Sequence, residues 1–211
     1  MEPLDTHSKR EWILIGMAES CATRGYERTR VADVCAAAGV EPASFEELFE
    51  GKEDCLAAAM EMALAEARRR IAAVYFPAKP WAAAVRDGTA AVLALLAERP
   101  ALARTALIEA PSAGGRAAEL YAEGRAAARS FVERGRDETT AAREISASAG
   151  RAALAGAEAL IVGEILAGKT RQLGEQARGV SYMLTVPYAG QSEALREADR
   201  KTAFRHLRAV A

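Results

Sequence analysis

The sequence predicts an all-α protein, and three observations carry that prediction. Alanine supplies 51 of the 211 residues, and alanine is the strongest helix former. Only 7 prolines interrupt the chain. Apolar residues recur at three- and four-residue spacing in one segment after another, and no segment alternates apolar with polar as a half-buried strand does.

The first helix is expected over about 8 to 23, where Trp12, Ile13, Gly16, Met17, Ser20 and Cys21 recur at helical spacing and Gly25 stands where a helix ends. Thr29 is the expected N-cap of a second, short helix, whose Val31, Val34, Cys35 and Ala38 fall at i, i+3, i+4 and i+7. Gly39 closes it. Pro42 opens a third helix, at a position where a missing N–H costs nothing. There Phe45, Leu48 and Phe49 face inward, Ala43, Ser44, Glu46 and Glu47 face outward, and Gly51 ends the helix.

Longer helices follow. Leu56, Met60, Ala63, Leu64, Ala67, Ile71 and Val74 trace one stripe over about 53 to 75, which Pro77 and Pro80 break. A helix is expected from Trp81 to Glu98, and another from Pro100 to about Pro111. The run 111–115 reads as a loop. Helices over about 116–134 and 141–167 flank a loop at 135–140, and Gly168 stops the second of them. A last major helix covers about 174–189, with a polar helical tail beyond Gly190.

Composition narrows the function. With 51% hydrophobic and 27% charged residues and a net charge of −1, the chain is neither a disordered tail, a collagen-like fibre nor a disulfide scaffold. The longest uncharged run, Gly179 to Ser192, is too short to span a bilayer and contains Gly and Pro. The N-terminus has no basic start followed by an apolar stretch. These features point to a cytoplasmic protein with no membrane segment. Cys21, Cys35 and Cys55 fit neither a disulfide framework nor a CxxC metal site, which leaves buried thiols or a redox switch. His7 and His206 have no ligand partner at helical spacing, and no phosphate-cradling glycine motif occurs. No catalytic residue, metal site or cofactor is therefore expected, and the chain is read as a non-enzyme.

Two short helices joined by an Ala-Gly-Val turn, after a longer one, form a helix-turn-helix pattern. The run Gly25-Tyr26-Glu27-Arg28-Thr29-Arg30-Val31-Ala32-Asp33-Val34-Cys35-Ala36-Ala37-Ala38-Gly39-Val40 resembles the DNA-binding domain of the tetracycline-repressor (TetR) family. So does its continuation from Ser44 through Phe49, Gly51 and Lys52 to Leu56. A weaker resemblance covers Tyr182 to Gly190, which is similar to the dimerisation helix of many members. The resemblance implies a DNA reader over residues 1–52, with an effector-binding and dimerisation domain over 53–211. It implies a recognition helix at about Pro42 to Phe49 and phosphate contacts at Thr29, Ser44 and Lys52. Arg28 and Arg30 would add phosphate or groove contacts, Pro42, Ala43 and Glu46 would lie in the interface, and Lys9 and Arg10 would form a basic arm.

Two residues depart from the family's habit. Glu41 stands where a polar cap, often Ser, is usual, and Glu46 where an aromatic is usual. Residues 1–52 hold six basic residues against ten acidic ones. Phosphate neutralisation supplies much of DNA affinity, so this head is expected to bind weakly or selectively. A carboxylate can still read cytosine through its N4 amine.

For the C-terminal region, Gly150, Leu154, Ala157, Ile161, Val180 and Leu184 are the expected seam of a two-fold, four-helix homodimer interface. Met62, Trp81, Tyr121, Arg125 and Glu158 are candidate contacts for a small, hydrophobic or amphipathic effector. The function expected is a ligand-responsive regulator, a repressor that binds a palindromic double-stranded operator as a homodimer and is released by the effector. The alternative is a helical small-molecule sensor whose DNA head has weakened or been lost.

Overall fold

Helix α1, Thr6–Arg24, buries Ile13, Met17 and Cys21 along one edge, and on that edge it packs against α2, Val31–Ala38. The computed structural model describes residues 6–76, 79–138 and 140–200. His206, and the side chain of His7, lie outside the described residues. Every regular element among the described residues is helical, as the sequence predicts. Trp12 corrects the expected inner face of α1: it is 49% exposed, because the buried row runs through Ile13, Met17 and Cys21 and leaves Trp12 on the flank.

After α2, Gly39 takes φ +66° and Val40 N–H returns to the Cys35 carbonyl, the left-handed stop that only glycine adopts without strain. Helix α3, Pro42–Glu46, is shorter than the sequence predicts. Past it the chain continues as a turn, with Phe49 N–H still donating to the Phe45 carbonyl. Phe45 and Phe49 are both buried, their rings 5.4 Å apart. Helices α4, Lys52–Val74, and α5, Trp81–Glu98, match their expected spans.

The segment after Pro100 differs from a plain helix. It comprises α6 (Pro100–Arg104), a π-helical turn (Thr105–Glu109) and α7 (Ala110–Ala113). Pro111 lies inside this run, where the sequence predicted a loop. It has no N–H for a carbonyl one turn back, and the wider π turn just before it accommodates the missing bond. Gly114, at φ +76°, ends the run. Helix α8 covers Gly115–Glu133.

The expected 141–167 helix is two helices. A 3-10 turn (Arg134–Asp137) leads to α9, Thr140–Arg143, and α10 runs from Ala147 to Leu166. Ser146 is the N-cap that restarts the helix, its hydroxyl accepting the Ser148 N–H at 3.2 Å. A 3-10 turn (Thr170–Gln176) precedes α11, Ala177–Asp199, which passes through a kink at Gly190 and so continues as the helical tail the sequence predicts.

The described chain forms two compact units. The first gathers residues up to 65 with 99–124, and the second gathers 66–98 with 125 onward. In the first, Ile13, Met17, Val34, Phe45, Phe49, Leu56 and Met60 share a core with Ala106, Ala110 and Leu120. In the second, α11 packs against α5 and α10. Buried Asp87 accepts from Lys79 Nζ at 2.6 Å and Arg86 Nε at 2.8 Å, and Arg86 reaches buried Glu197 at 2.7 Å. Burial by itself would raise the Asp87 pKa, but the hydrogen bonds from Arg86 and Lys79 outweigh it and hold the carboxyl below its ordinary value.

Candidate nucleic-acid interface

The turn between α1 and α2 fixes where the second helix points, and its backbone groups are almost all taken. Gly25, at φ +80°, donates to the Cys21 carbonyl, and Thr29 N–H donates to the Tyr26 carbonyl. Thr29 is 1% exposed and its hydroxyl donates to the Gly25 carbonyl at 2.9 Å. It therefore closes the turn and is not the N-cap of α2. That position is Arg30, whose side chain has no acceptor; Asp33 at the third helical position accepts the Arg30 N–H at 2.9 Å instead.

Lys52 is equally committed. Its ammonium donates to the carbonyls of Tyr26 (3.2 Å), Glu27 (3.4 Å) and Thr29 (3.4 Å) and lies 4.3 Å from the Tyr26 ring centre. An ammonium has three donors, so Lys52 is a clamp on the turn. Tyr26 N–H donates to Glu109 Oε2 at 2.9 Å. Sequence reasoning singled out neither Tyr26 nor Glu109, and no local pattern marks a pair 83 residues apart.

Several residues of this turn and of α3 face outward. Arg28, Arg30, Pro42, Ala43 and Glu46 are exposed, and Ser44 is half-buried. Arg28 Nε donates to the Arg24 carbonyl at 2.9 Å. Glu41 is the N-cap of α3 but its side chain makes no cap hydrogen bond. Glu41, Glu46, Glu47 and Glu50 are all exposed, so α3 and the turn after it carry four outward carboxylates. Arg10 stacks over the Phe49 ring at 5.5 Å, and so folds back onto the core rather than extending as an arm.

The three thiols lie inside this unit and are buried. Burial pushes Cys21 up to about 11 and Cys55 up to about 12, and raises Cys35. Among the described residues no group of three His, Cys, Asp or Glu side chains could hold a metal ion, and no helix is long and apolar enough to cross a membrane.

The candidate effector residues fall in both units. Met62 and Tyr121 pack on the core of the first unit. Trp81, Arg125 and Glu158 belong to the second, where Arg125 pairs with Glu158 at 2.9 Å. Trp81 lines an open cleft of about 250 Å³ walled by Tyr75, Lys79, Phe131, Arg134 and Glu138. Of the expected seam, Gly150, Ala157, Val180 and Leu184 are buried within the chain, and only Leu154 and Ile161 are partly exposed. A Cβ at Gly150 would stand 1.9 Å from the Tyr188 hydroxyl, so the absent side chain there admits Tyr188.

Comparison with known proteins places this geometry. Residues 13–59 match the model of the bacterial regulatory proteins of the tetR family. The fold is similar to that of the transcriptional regulator FadR from Bacillus subtilis, solved in complex with stearoyl-CoA. That match has a TM-score of 0.70 at 16% identity and covers 85% of this chain and 98% of that one. It is also similar to a TetR family transcription regulator from Marinobacter aquaeolei VT8 (TM-score 0.67, 19% identity, 86% and 95% covered). A third is the fatty acid degradation regulator FadR from Bacillus halodurans (0.65, 17%, 84% and 94%). No curated protein sequence matches the chain. The family match thus rests on residues 13–59, and the rest of the chain shares its fold with solved tetR-family regulators.

Proposed function

We propose that the chain is a ligand-responsive repressor that binds a palindromic operator as a homodimer in the cytoplasm and leaves it when a small molecule binds. The observation that carries this reading is the surface around α3. There Arg28, Arg30, Pro42, Ala43, Ser44 and Glu46 lie together in a segment that matches the family model. Thr29 and Lys52 serve the same surface from behind, by holding the turn. Residues 1–52 would read DNA, and 53–211 would take the effector and pair two copies. A two-fold dimer presents its recognition helices about 34–36 Å apart, which makes a palindrome the natural target.

The effector is a hydrophobic or amphipathic small molecule. The similarity to a regulator solved with stearoyl-CoA supports that class, and so does the cleft at Trp81, which sets aromatic walls beside Lys79 and Arg134. Such a ligand shifts the equilibrium only by its differential affinity for the two states, commonly about 1–3 kcal/mol.

The exposed carboxylates favour one alternative, a sensor with a weakened head. Affinity for DNA from upstream of the chain's own gene, and for a scrambled duplex, over a salt series separates the two readings. Repression predicts tight binding to the first duplex. Comparable weak binding to both would support the alternative. Glu46→Gln then reports the role of that carboxylate. If it reads a cytosine, the cognate duplex weakens by about 1–3 kcal/mol and one base pair loses its preference. If it only repels phosphate, all duplexes tighten alike.

A further inference from the structure

We propose that Glu109 is a positioning residue for the DNA-reading head: its carboxylate, supplied from residues 99–124, fixes the turn that aims α2 and α3. The inference rests on the reading of this head as a DNA binder.

The accounting of the turn's polar groups leads to it. The carbonyls of Tyr26, Glu27 and Thr29 go to Lys52, the Gly25 carbonyl to the Thr29 hydroxyl, and the Arg30 N–H to Asp33. All of those partners lie within residues 25–52. The Tyr26 N–H alone among these groups is met from far along the chain, by Glu109 Oε2 at 2.9 Å. Gly25 holds the turn at φ +80°, and its Cα lies beside the same oxygen, where a Cβ would be in ordinary contact at 3.5 Å.

Glu109 is itself aimed. It ends the π-helical turn Thr105–Glu109. The residue five before it, Arg104, lies with Nε 3.5 Å from Glu109 Oε1. At the start of the same turn, buried Thr105 donates its hydroxyl to the Ala18 carbonyl of α1 at 3.0 Å. The π turn is thus pinned to α1 at one end and reaches the α1–α2 turn with the other. Glu109 has no place on the outward surface with Arg28, Arg30 and Glu46, so it acts through Tyr26 and not on DNA.

Two full-length variants separate reach from charge. Glu109→Gln keeps an oxygen acceptor at the same reach and loses the charge, whereas Glu109→Asp keeps the charge and withdraws the oxygen by one methylene. The probes are a duplex enriched by wild-type protein from a randomised pool and a scrambled duplex, with amide hydrogen exchange at Tyr26 read alongside. Glu109→Asp is expected to speed Tyr26 exchange about tenfold or more and to weaken the enriched duplex about tenfold, the scale of losing a charge-assisted hydrogen bond. The scrambled duplex and the salt slope should not move, because phosphate neutralisation does not involve Glu109. Glu109→Gln should stay within about threefold of wild type in every readout. An Asp variant that binds the enriched duplex as wild type does would overturn the proposal. So would variants that tighten both duplexes alike, since that is the mark of a charge acting at long range. A wild type that enriches no duplex fails the parent reading instead.

Discussion

A thiol reacts as its thiolate, so the burial that lifts Cys21 to about 11 and Cys55 to about 12 removes the nucleophile at neutral pH. Cys21 also points its Sγ at Met17 Sδ, 3.5 Å away, inside the core. Of the two readings the sequence allows for these thiols, the geometry supports small buried hydrophobes. Iodoacetamide at pH 8 should leave all three cysteines of the native protein unlabelled and modify all three in denaturant. A native cysteine labelled at the denatured rate would restore the redox switch. The same shifts act on stability. An unfolded thiol ionises near its ordinary value of 9 and a folded one only near 11 or 12. The folded state therefore holds more protons above pH 9, and the melting temperature should decline as pH rises from there. Thr29 and Lys52 make a related point. A family resemblance assigns a residue to a place, but whether its polar atoms face DNA or the chain's own carbonyls depends on rotamers that sequence does not encode.

Among the elements, α1 and α2 meet backbone to backbone at Gly16. A Cβ on Gly16 would stand 2.8 Å from the Val34 carbonyl oxygen and 2.9 Å from the Ala38 nitrogen. No side-chain rotation relieves that clash, so the helices would have to separate. Gly16→Ala should cost about 1–3 kcal/mol, the usual price of overpacking, with the melting temperature falling about 2–4 °C for each kcal/mol in a chain of this length. An Ala variant that melts with wild type would show that the pair yields freely. The helices themselves were legible wherever a cap and a long apolar stripe agreed, as for α5 between Pro80 and Glu98. They were misread where two signals competed. Pro111 reads as a break, yet the π turn before it lets the helix run on to Ala113. The alanine run around 147–167 hid the restart at Ser146, because alanine fits a helix in any register. The proposed DNA surface could be drawn from sequence because its residues lie within about 25 positions of one another. An effector cavity offers no such signal, because it is assembled from distant segments and carries no local period.

At the scale of the whole molecule, the proposed repressor needs two heads, and the surface for pairing has to be one the chain leaves uncovered. Gly150, Ala157, Val180 and Leu184 are covered by the chain's own packing. The outward face of α10 instead presents Ala152, Ala155, Ala159, Gly163 and Leu166, the last 61% exposed. These residues recur at three- and four-residue spacing, so they form one stripe, and small side chains let a second helix come close. On α11, Tyr182, Val186 and Ala189 are only partly covered and would complete a four-helix seam around a two-fold axis. Ala159→Glu and Ala155→Glu each put a charge into that seam, where it would be buried without a partner. In the single chain both positions are open to solvent, so folding should be spared. Each variant should elute and scatter light as a folded monomer, with wild-type helical content and lowered affinity for a palindromic duplex. Ala157→Glu is the contrasting case: its side chain would enter the chain's own packing, and lost helical content is expected before any change in assembly is seen. A folded Ala159→Glu that keeps the dimer mass would remove this face from the interface.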